Sequence, residues 1–343
     1  MTDLQQRNVA IWLLCINAII FCMICLGGIT RLTGSGLSMV EWAPITGVLP
    51  PLNEAQWLAV FELYRASPEY LQVNASMDLV GFKSIFWFEY FHRILGRLIG
   101  LCFLLPMLYF FVRYPLSGRL RMQLLGLFVL GGAQGVLGWY MVMSGLVDDP
   151  RVSQYRLVAH LGLALLIYAA VFWLACGYFV RHLGQRYAPP VKLRRSSLML
   201  VGLMSLTILA GGFVAGTHAG YAFNTFPLMN GSLLPEGYGA LSPVWKNLFE
   251  NVAAVQFNHR LLASLTLLLA AVVCLQAYRA VLLPIAKGLA GIMLLLVSLQ
   301  YSLGIATLLH HVPVTLGAMH QALAVLVLTS GLLLLRVLYQ LDR

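Results

Sequence analysis

Charge is scarce in this sequence: only 10% of its 343 residues are Asp, Glu, Lys or Arg, against about 25% in soluble domains. That shortage excludes a water-soluble globular chain, and the 60% hydrophobic content and mean hydropathy of +0.83 agree. The long apolar runs lack strand-like alternation, which excludes a membrane β-barrel. Cysteine is absent from the long hydrophilic loops. All six cysteines (Cys15, Cys22, Cys25, Cys102, Cys176 and Cys274) fall inside apolar segments, so no loop disulfide is expected. Cys22 and Cys25 form a C-x-x-C, read as packed thiols in an apolar helix. The N-terminal MTDLQQRN is not Arg/Ser-rich, and the first apolar run is too long for a cleavable signal and lacks a small-residue cleavage site. A bacterial cytoplasmic (inner) membrane is expected rather than an organelle.

What is present is a set of eight apolar runs, near residues 10–30, 85–112, 121–144, 154–180, 196–216, 252–279, 286–309 and 313–338. Each approaches the roughly 20 residues that span a bilayer as a helix. The net charge of +10 does not indicate a nucleic-acid partner, because the basic residues are segregated. With the N-terminus inside, Arg7, Arg113, Arg119, Arg121, Arg181, Arg186, Lys192, Arg194, Arg195, Arg279, Lys287, Arg336 and Arg343 are cytoplasmic. Arg31, Arg65, Lys83, Arg151, Arg156 and Lys246 are outside. This is the positive-inside bias, and it places both termini in the cytoplasm.

The sequence also repeats. Gly27-Gly28 aligns with Gly211-Gly212, Thr33 with Thr217, Gly47 with Gly231, Glu89–Arg93 with Gln256–Arg260, Gln134 with Gln300, Gly138 with Gly304, and His160 with His320. The expected fold is therefore an all-α integral membrane protein of eight transmembrane helices, arranged as two tandem pseudo-symmetric four-helix bundles. Its divisions are an N-terminal repeat over 1–180, a cytoplasmic linker over 181–195 and a C-terminal repeat over 196–343. An even helix number per repeat makes the repeats parallel rather than inverted. Within the long loop 31–84, residues 53–65 are expected to form a surface helix capped by Asn53.

Four histidines occupy matching places: His92, His160, His259 and His320. Each lies roughly 6–8 residues, or about 10 Å, from the outer start of its apolar run. Ionisable residues inside a membrane mark function by default. Paired imidazoles at one depth in a bundle suit the two axial positions of a haem iron. Zinc fits less well, since each pair offers two ligands where a tetrahedral site needs four. No C-x-x-C-H occurs, so a covalently attached haem is excluded. Gly96, Gly135, Gly138, Gly162 and Gly304 would let a flat macrocycle approach the helices. The plain alternative is that each histidine is a hydrogen-bonded core residue. His182, His218, His310 and His311 read as solvated or supporting residues.

Arg93 and Arg260 each follow a candidate ligand, where they could pair with haem propionates or snorkel towards head groups. The repeats differ at one informative place: Glu89 stands three residues before His92, whereas Gln256 precedes His259. A carboxylate in one pocket only suggests proton relay or orientation of a bound oxygen species. An ion pair to Arg93, four residues on, is the plainer alternative. The N-terminal pocket thus reads as reactive and the C-terminal one as supporting.

The runs EYFHRILGR (89–97), LTGSGLSMVEWAPITGVLPP (32–51) and GTHAGYAFNTFPLMNG (216–231) resemble haem A synthases of the proteobacterial and mitochondrial branch, and the likeness extends along essentially the whole chain. The resemblance implies oxidation of the C8 methyl of haem O to a formyl group by successive oxygen-dependent hydroxylations, giving haem A for terminal oxidases. It implies Glu89, His92 and His160 as the catalytic set around haem O as substrate, and His259 and His320 as ligands of a haem b that transfers electrons. Some bacterial relatives carry a loop cysteine pair; its lack here argues against a thiol relay and leaves the electron donor unidentified. Two axial histidines would block oxygen from the iron. Either His92 or His160 leaves during turnover, or oxidation occurs at the porphyrin edge. A haem O-producing farnesyltransferase is a candidate partner beside the lipid bilayer, and homo-oligomerisation is left open. The competing readings are a dihaem cytochrome b electron carrier and a transporter.

Overall fold

The computed structural model describes residues 1–41, 47–146, 150–183 and 188–341. Residues 42–46 of the first loop motif, Arg186 in the linker, and Arg343 lie outside the described residues. Eight helices are long and apolar enough to cross a membrane: α1 (Asp3–Leu32), α4 (Leu79–Arg113), α5 (Gly118–Met143), α6 (Gln154–Val180), α7 (Val191–Gly216), α8 (Val252–Arg279), α9 (Pro284–Leu309) and α10 (Val314–Leu341). Two shorter helices, α2 (Glu54–Arg65) and α3 (Pro68–Gln72), lie between α1 and α4. The protein is a multi-pass membrane protein, and no named strand occurs among the described residues.

Helix starts follow local chemistry. Asn53 caps α2 as expected, its side chain accepting from the Gln56 amide at 2.9 Å. Asp78 caps α4 through Gly81 N at 2.8 Å, and Asn251 caps α8 through Ala253 N at 2.9 Å. Pro284 opens α9, where a missing amide proton does no harm. The spans exceed their apolar cores because the flanking residues are good helix formers. Hence α1 begins at Asp3, and α7 at Val191, inside the expected linker.

The described residues form two compact units, residues 18–164 and residues 1–17 with 165–343. In the first, α4 starts at Leu79, several residues before its expected apolar start. Those added residues carry Phe82, which with Ile85 and Phe86 packs on Trp57, Phe61 and Tyr64 of α2. Ring centroids approach to 4.9 Å for Trp57–Phe86 and 5.0 Å for Tyr64–Phe82. Each such pair contributes about 0.5–1.5 kcal/mol beyond area burial.

Glu69 on α3 is buried against this cluster and accepts from Tyr64 Oη at 3.2 Å. Burial pushes its carboxyl up from an ordinary 4.5 to about 7; the Tyr64 hydrogen bond pulls it down, and the charge of Glu89 adds to the rise. A carboxyl raised in the folded state destabilises that state progressively as pH climbs from its unfolded value to its folded one. Glu69→Gln is therefore expected to stabilise the α2–α4 cluster at pH 8, with the gain fading as pH falls towards 4.5. Protease protection of the 53–78 segment across pH reads this directly. A gain that is the same at pH 5 and pH 8 would contradict it.

In the second unit α7 packs on α8, α8 on α9, α9 on α10, and α10 returns to α7, closing a four-helix ring. Polar pairs tie it internally, with Thr207 Oγ1 and Thr266 Oγ1 at 2.9 Å and Tyr168 Oη and Thr329 Oγ1 at 2.7 Å. Arg181 pairs with Asp3 and Gln6, and Tyr178 donates to Asp3 at 3.0 Å.

Candidate functional site

Each of the four histidines packs on a glycine of the preceding membrane helix. A Cβ added to Gly27 on α1 would meet His92 Cε1 at 3.0 Å, and one on Gly138 of α5 would meet His160 Cε1 at 3.0 Å. In the other unit the same holds for Gly211 and His259 at 3.0 Å, and for Gly304 and His320 at 2.8 Å. A side chain at any of the four would crowd the ring, and at Gly304 it would force a shift, so each imidazole is seated against a missing side chain. All four rings are only partly enclosed. His92 and His160 are electrostatic neighbours, as are His259 and His320.

The ring nitrogens are held differently in the two units. His259 Nδ1 lies 3.1 Å from the Thr207 carbonyl, and His320 Nδ1 lies 3.1 Å from the Gln300 amide, which also donates to the His320 carbonyl at 3.0 Å. In the first unit, His92 Nδ1 and His160 Nδ1 are buried with no hydrogen-bond partner. Gln134 donates to the His160 carbonyl at 3.0 Å, and its amide nitrogen lies 3.3 Å from Nε2 rather than Nδ1. A carbonyl that accepts from the far nitrogen fixes an imidazole's tautomer and orientation and strengthens it as a metal ligand, whereas the Gln300 amide is itself a donor and would leave the proton on His320 Nε2. By that measure His259 is anchored and neither histidine of the N-terminal pair is.

Glu89 is buried, with four hydrogen bonds. Its Oε2 accepts from Ser38 Oγ at 2.7 Å and Met39 N at 2.8 Å; its Oε1 accepts from Arg93 Nε at 3.0 Å and Nη2 at 2.5 Å. Arg93 also donates to the Met39 carbonyl at 2.8 Å and the Glu41 carbonyl at 3.1 Å. The pair is thus a clamp that folds the loop after α1 onto α4. Gln256 and Arg260 clamp the loop after α7 with the first residue's hydrogen bonds reversed, the glutamine donating to the loop where Glu89 accepts. Gln256 Nε2 donates to the Ala219 carbonyl at 2.9 Å, and Arg260 donates to Phe223 O at 2.7 Å and Thr225 O at 2.9 Å.

Sequence reasoning found the ion pair but not the clamp, because the loop carbonyls carry no residue-type signal. Arg260 Nε remains buried without a hydrogen-bond partner. Among the described residues no hydrogen bond links Glu89 to His92 or His160.

His182 accepts from Arg181 Nε at 3.3 Å on the surface, and His310 Nδ1 lies 2.8 Å from Ala306 O of its own helix. His218 and His311 are exposed, with left-handed φ of 56° and 58°. None of these joins the paired rings.

Among the described residues no cluster of three or more His, Cys, Asp or Glu could hold a bare metal ion. Two imidazoles per unit, each on a glycine seat and partly open, instead match the axial needs of a porphyrin iron, whose remaining ligands are its own. If His320 is such a ligand, Gly304→Ala forces its ring out of place. Haem retention in that unit is then expected to weaken by about tenfold or more, read from bound haem after detergent exchange. Retention equal to the parent protein would contradict the seating.

Fold and site define a multi-pass membrane protein presenting imidazole pairs from helical bundles. More particularly, the chain belongs to the COX15-CtaA family of cytochrome oxidase assembly proteins, whose pattern matches residues 10–332. It is 50% identical over 337 residues to a protein named heme A synthase from Nitrosomonas eutropha, covering 97% of this chain and 94% of that one. Likewise named proteins from Nitrosospira multiformis and Granulibacter bethesdensis are 47% and 48% identical over 328 and 339 residues. They cover 95% and 97% of this chain, and 92% and 89% of their own.

Proposed function

We propose that this protein is an enzyme of the bacterial inner membrane that oxidises the C8 methyl of haem O to the formyl group of haem A. The repeats 1–180 and 196–343 share one plan, with 181–195 between them and both termini in the cytoplasm. His92 and His160 receive haem O as substrate. His259 and His320 hold a resident haem b, whose iron supplies electron transfer when bound. Supporting the division is one observation: His259 Nδ1 has a carbonyl, Thr207 O, to donate to, whereas the Nδ1 atoms of His92 and His160 are buried without any partner. A cofactor that stays needs fixed ligands; a substrate that must leave as product is better served by ligands less firmly held.

Around these groups the protein's own residues act by placement. Gly27, Gly138, Gly211 and Gly304 set the imidazoles. Arg93 and Arg260 close the loops over their bundles, and the unpartnered Arg260 Nε leaves a donor for a propionate. Glu89 is the one ionisable difference between the clamps. It orients or relays a proton at the reacting edge of the N-terminal pocket, a task Gln256 cannot perform. The electron-carrier alternative loses ground because the full-length relatives are named as synthases.

The purified protein, given an excess of an apo-protein that captures haem, is expected to release tail-bearing haem first and haem b at least about tenfold more slowly. Faster loss of haem b would reverse the assignment of the pockets.

A further inference from the structure

Beside His160, helix α5 opens into a groove of about 330 Å³ lined by Gly132, Gly135, Val136 and Trp139. Its size falls within the range of small-ligand clefts, roughly 300–1,000 Å³. Gly135 lies one turn before Gly138, the glycine that seats His160, so the groove adjoins the imidazole site. A Cβ added at Gly132 or Gly135 would meet nothing within 4 Å. These glycines are therefore not seats for a neighbouring side chain, unlike Gly138.

The other unit closes the matching position. In the register that pairs Gln134 with Gln300 and Gly138 with Gly304, Gly132 corresponds to Ser298 and Gly135 to Tyr301. Tyr301 is hydrogen-bonded through its hydroxyl to Ser264 Oγ at 3.0 Å, and its ring meets Phe226 edge-on with centroids 6.2 Å apart. Ser264 stands five residues after His259, so the Tyr301 ring stands beside α8 just past the ligand. Arg97 holds the corresponding place after His92. It does not fill the gap, since the space at Gly135 stays open.

We propose that the α5 groove receives the isoprenoid tail of haem O, and that Tyr301 shuts the equivalent space so that the C-terminal pocket takes only the tail-less haem b. This rests on the proposed reading that His92 and His160 receive haem O. It adds what tells the two haems apart. Both share the macrocycle and the axial needs, so imidazoles cannot discriminate between them; an apolar substituent of this bulk can be sorted by a cleft that is open in one pocket and filled in the other.

The test is Gly135→Tyr in the full-length protein, co-expressed with a haem O-producing farnesyltransferase, with bound haems extracted, separated and identified by mass. Haem O and haem A recovered with the protein are expected to fall by roughly tenfold or more while haem b is unchanged, and Gly135→Ala is expected to behave as the parent. Unchanged haem O and haem A in Gly135→Tyr would overturn the proposal and leave the groove to membrane lipid. Should Gly135→Tyr lose haem b as well, Tyr301→Gly in a His92→Ala background decides instead. Tail-bearing haem in that protein supports the proposal, and haem b alone overturns it. A parent protein that forms no haem A under these conditions would strike the functional reading itself, separately from the groove.

Discussion

Replacing His259 or His320 with alanine is expected to abolish the low-spin haem b spectrum, with haem b occupancy reduced by about 10²-fold or more. Loss of an outer hydrogen-bond partner alone weakens metal sites by about 10–100-fold, and loss of the ligand itself removes more. Both residues are seated on glycines, and His259 Nδ1 is anchored on Thr207 O; no other imidazole is seated in this way among the described residues. His310 and His311 are exposed, and the His310 ring is turned to its own helix. The same change at His92 or His160 should leave that spectrum intact and diminish haem O binding instead. Optical spectra of the purified variants distinguish these results. A His259→Ala protein with the parent spectrum would refute the ligand assignment.

Glu89→Gln is expected to lower haem A formation by about 10²-fold or more, the scale of a lost proton-transfer group, while the haem b spectrum persists. Glutamine keeps the shape and one acceptor oxygen, enough for Arg93 or for Met39 N but not for both. Gln256 also bonds its arginine in the other unit, but its amide donates to two loop carbonyls where Glu89 accepts from loop donors. Glu89→Ala is a blunter probe. It leaves the Arg93 guanidinium, only 10% exposed, without its counter-charge, and breaking a buried pair in that way destabilises by about 3–5 kcal/mol. Conversion in Glu89→Gln, measured beside protease protection of the loop after α1, therefore separates chemistry from architecture. Haem A at the parent level in that variant would reduce Glu89 to a structural clamp.

Much of this fold is legible in the sequence because a membrane span declares itself. Without water, backbone groups must pair within the segment, so a long apolar run implies a helix. All eight expected spans overlap the helices in the structure, and α6 coincides at residues 154–180. What hydropathy misses lies outside the apolar core. The early start of α4 depends on the Asp78 cap and on an aromatic cluster assembled with α2, a contact between distant segments.

At the site, the histidines stand out because charge-capable residues are costly in the membrane. Their seats do not. Gly138 and Gly304 lie where close approach was expected, whereas Gly135 has nothing within 4 Å and Gly96 faces Met23. Gly27 and Gly211 register in the sequence only as a repeated pair. Whether a glycine faces an imidazole depends on which helices pair and on their rotation about their own axes. The unequal anchoring of Nδ1 is invisible for the same reason, since one anchor is a backbone carbonyl, Thr207 O.

The central claim is that this chain converts haem O into haem A. Its most direct test is co-expression with a haem O-producing farnesyltransferase in cells that make no haem A of their own, followed by extraction of total and protein-bound haems and their identification by chromatography and mass. The expected result is haem A or a hydroxylated haem O derivative, absent when Glu89 is replaced by glutamine, together with haem b bound to the protein. Haem b alone, with haem O unaltered in the presence of oxygen and reductant, would contradict the account and identify an electron carrier.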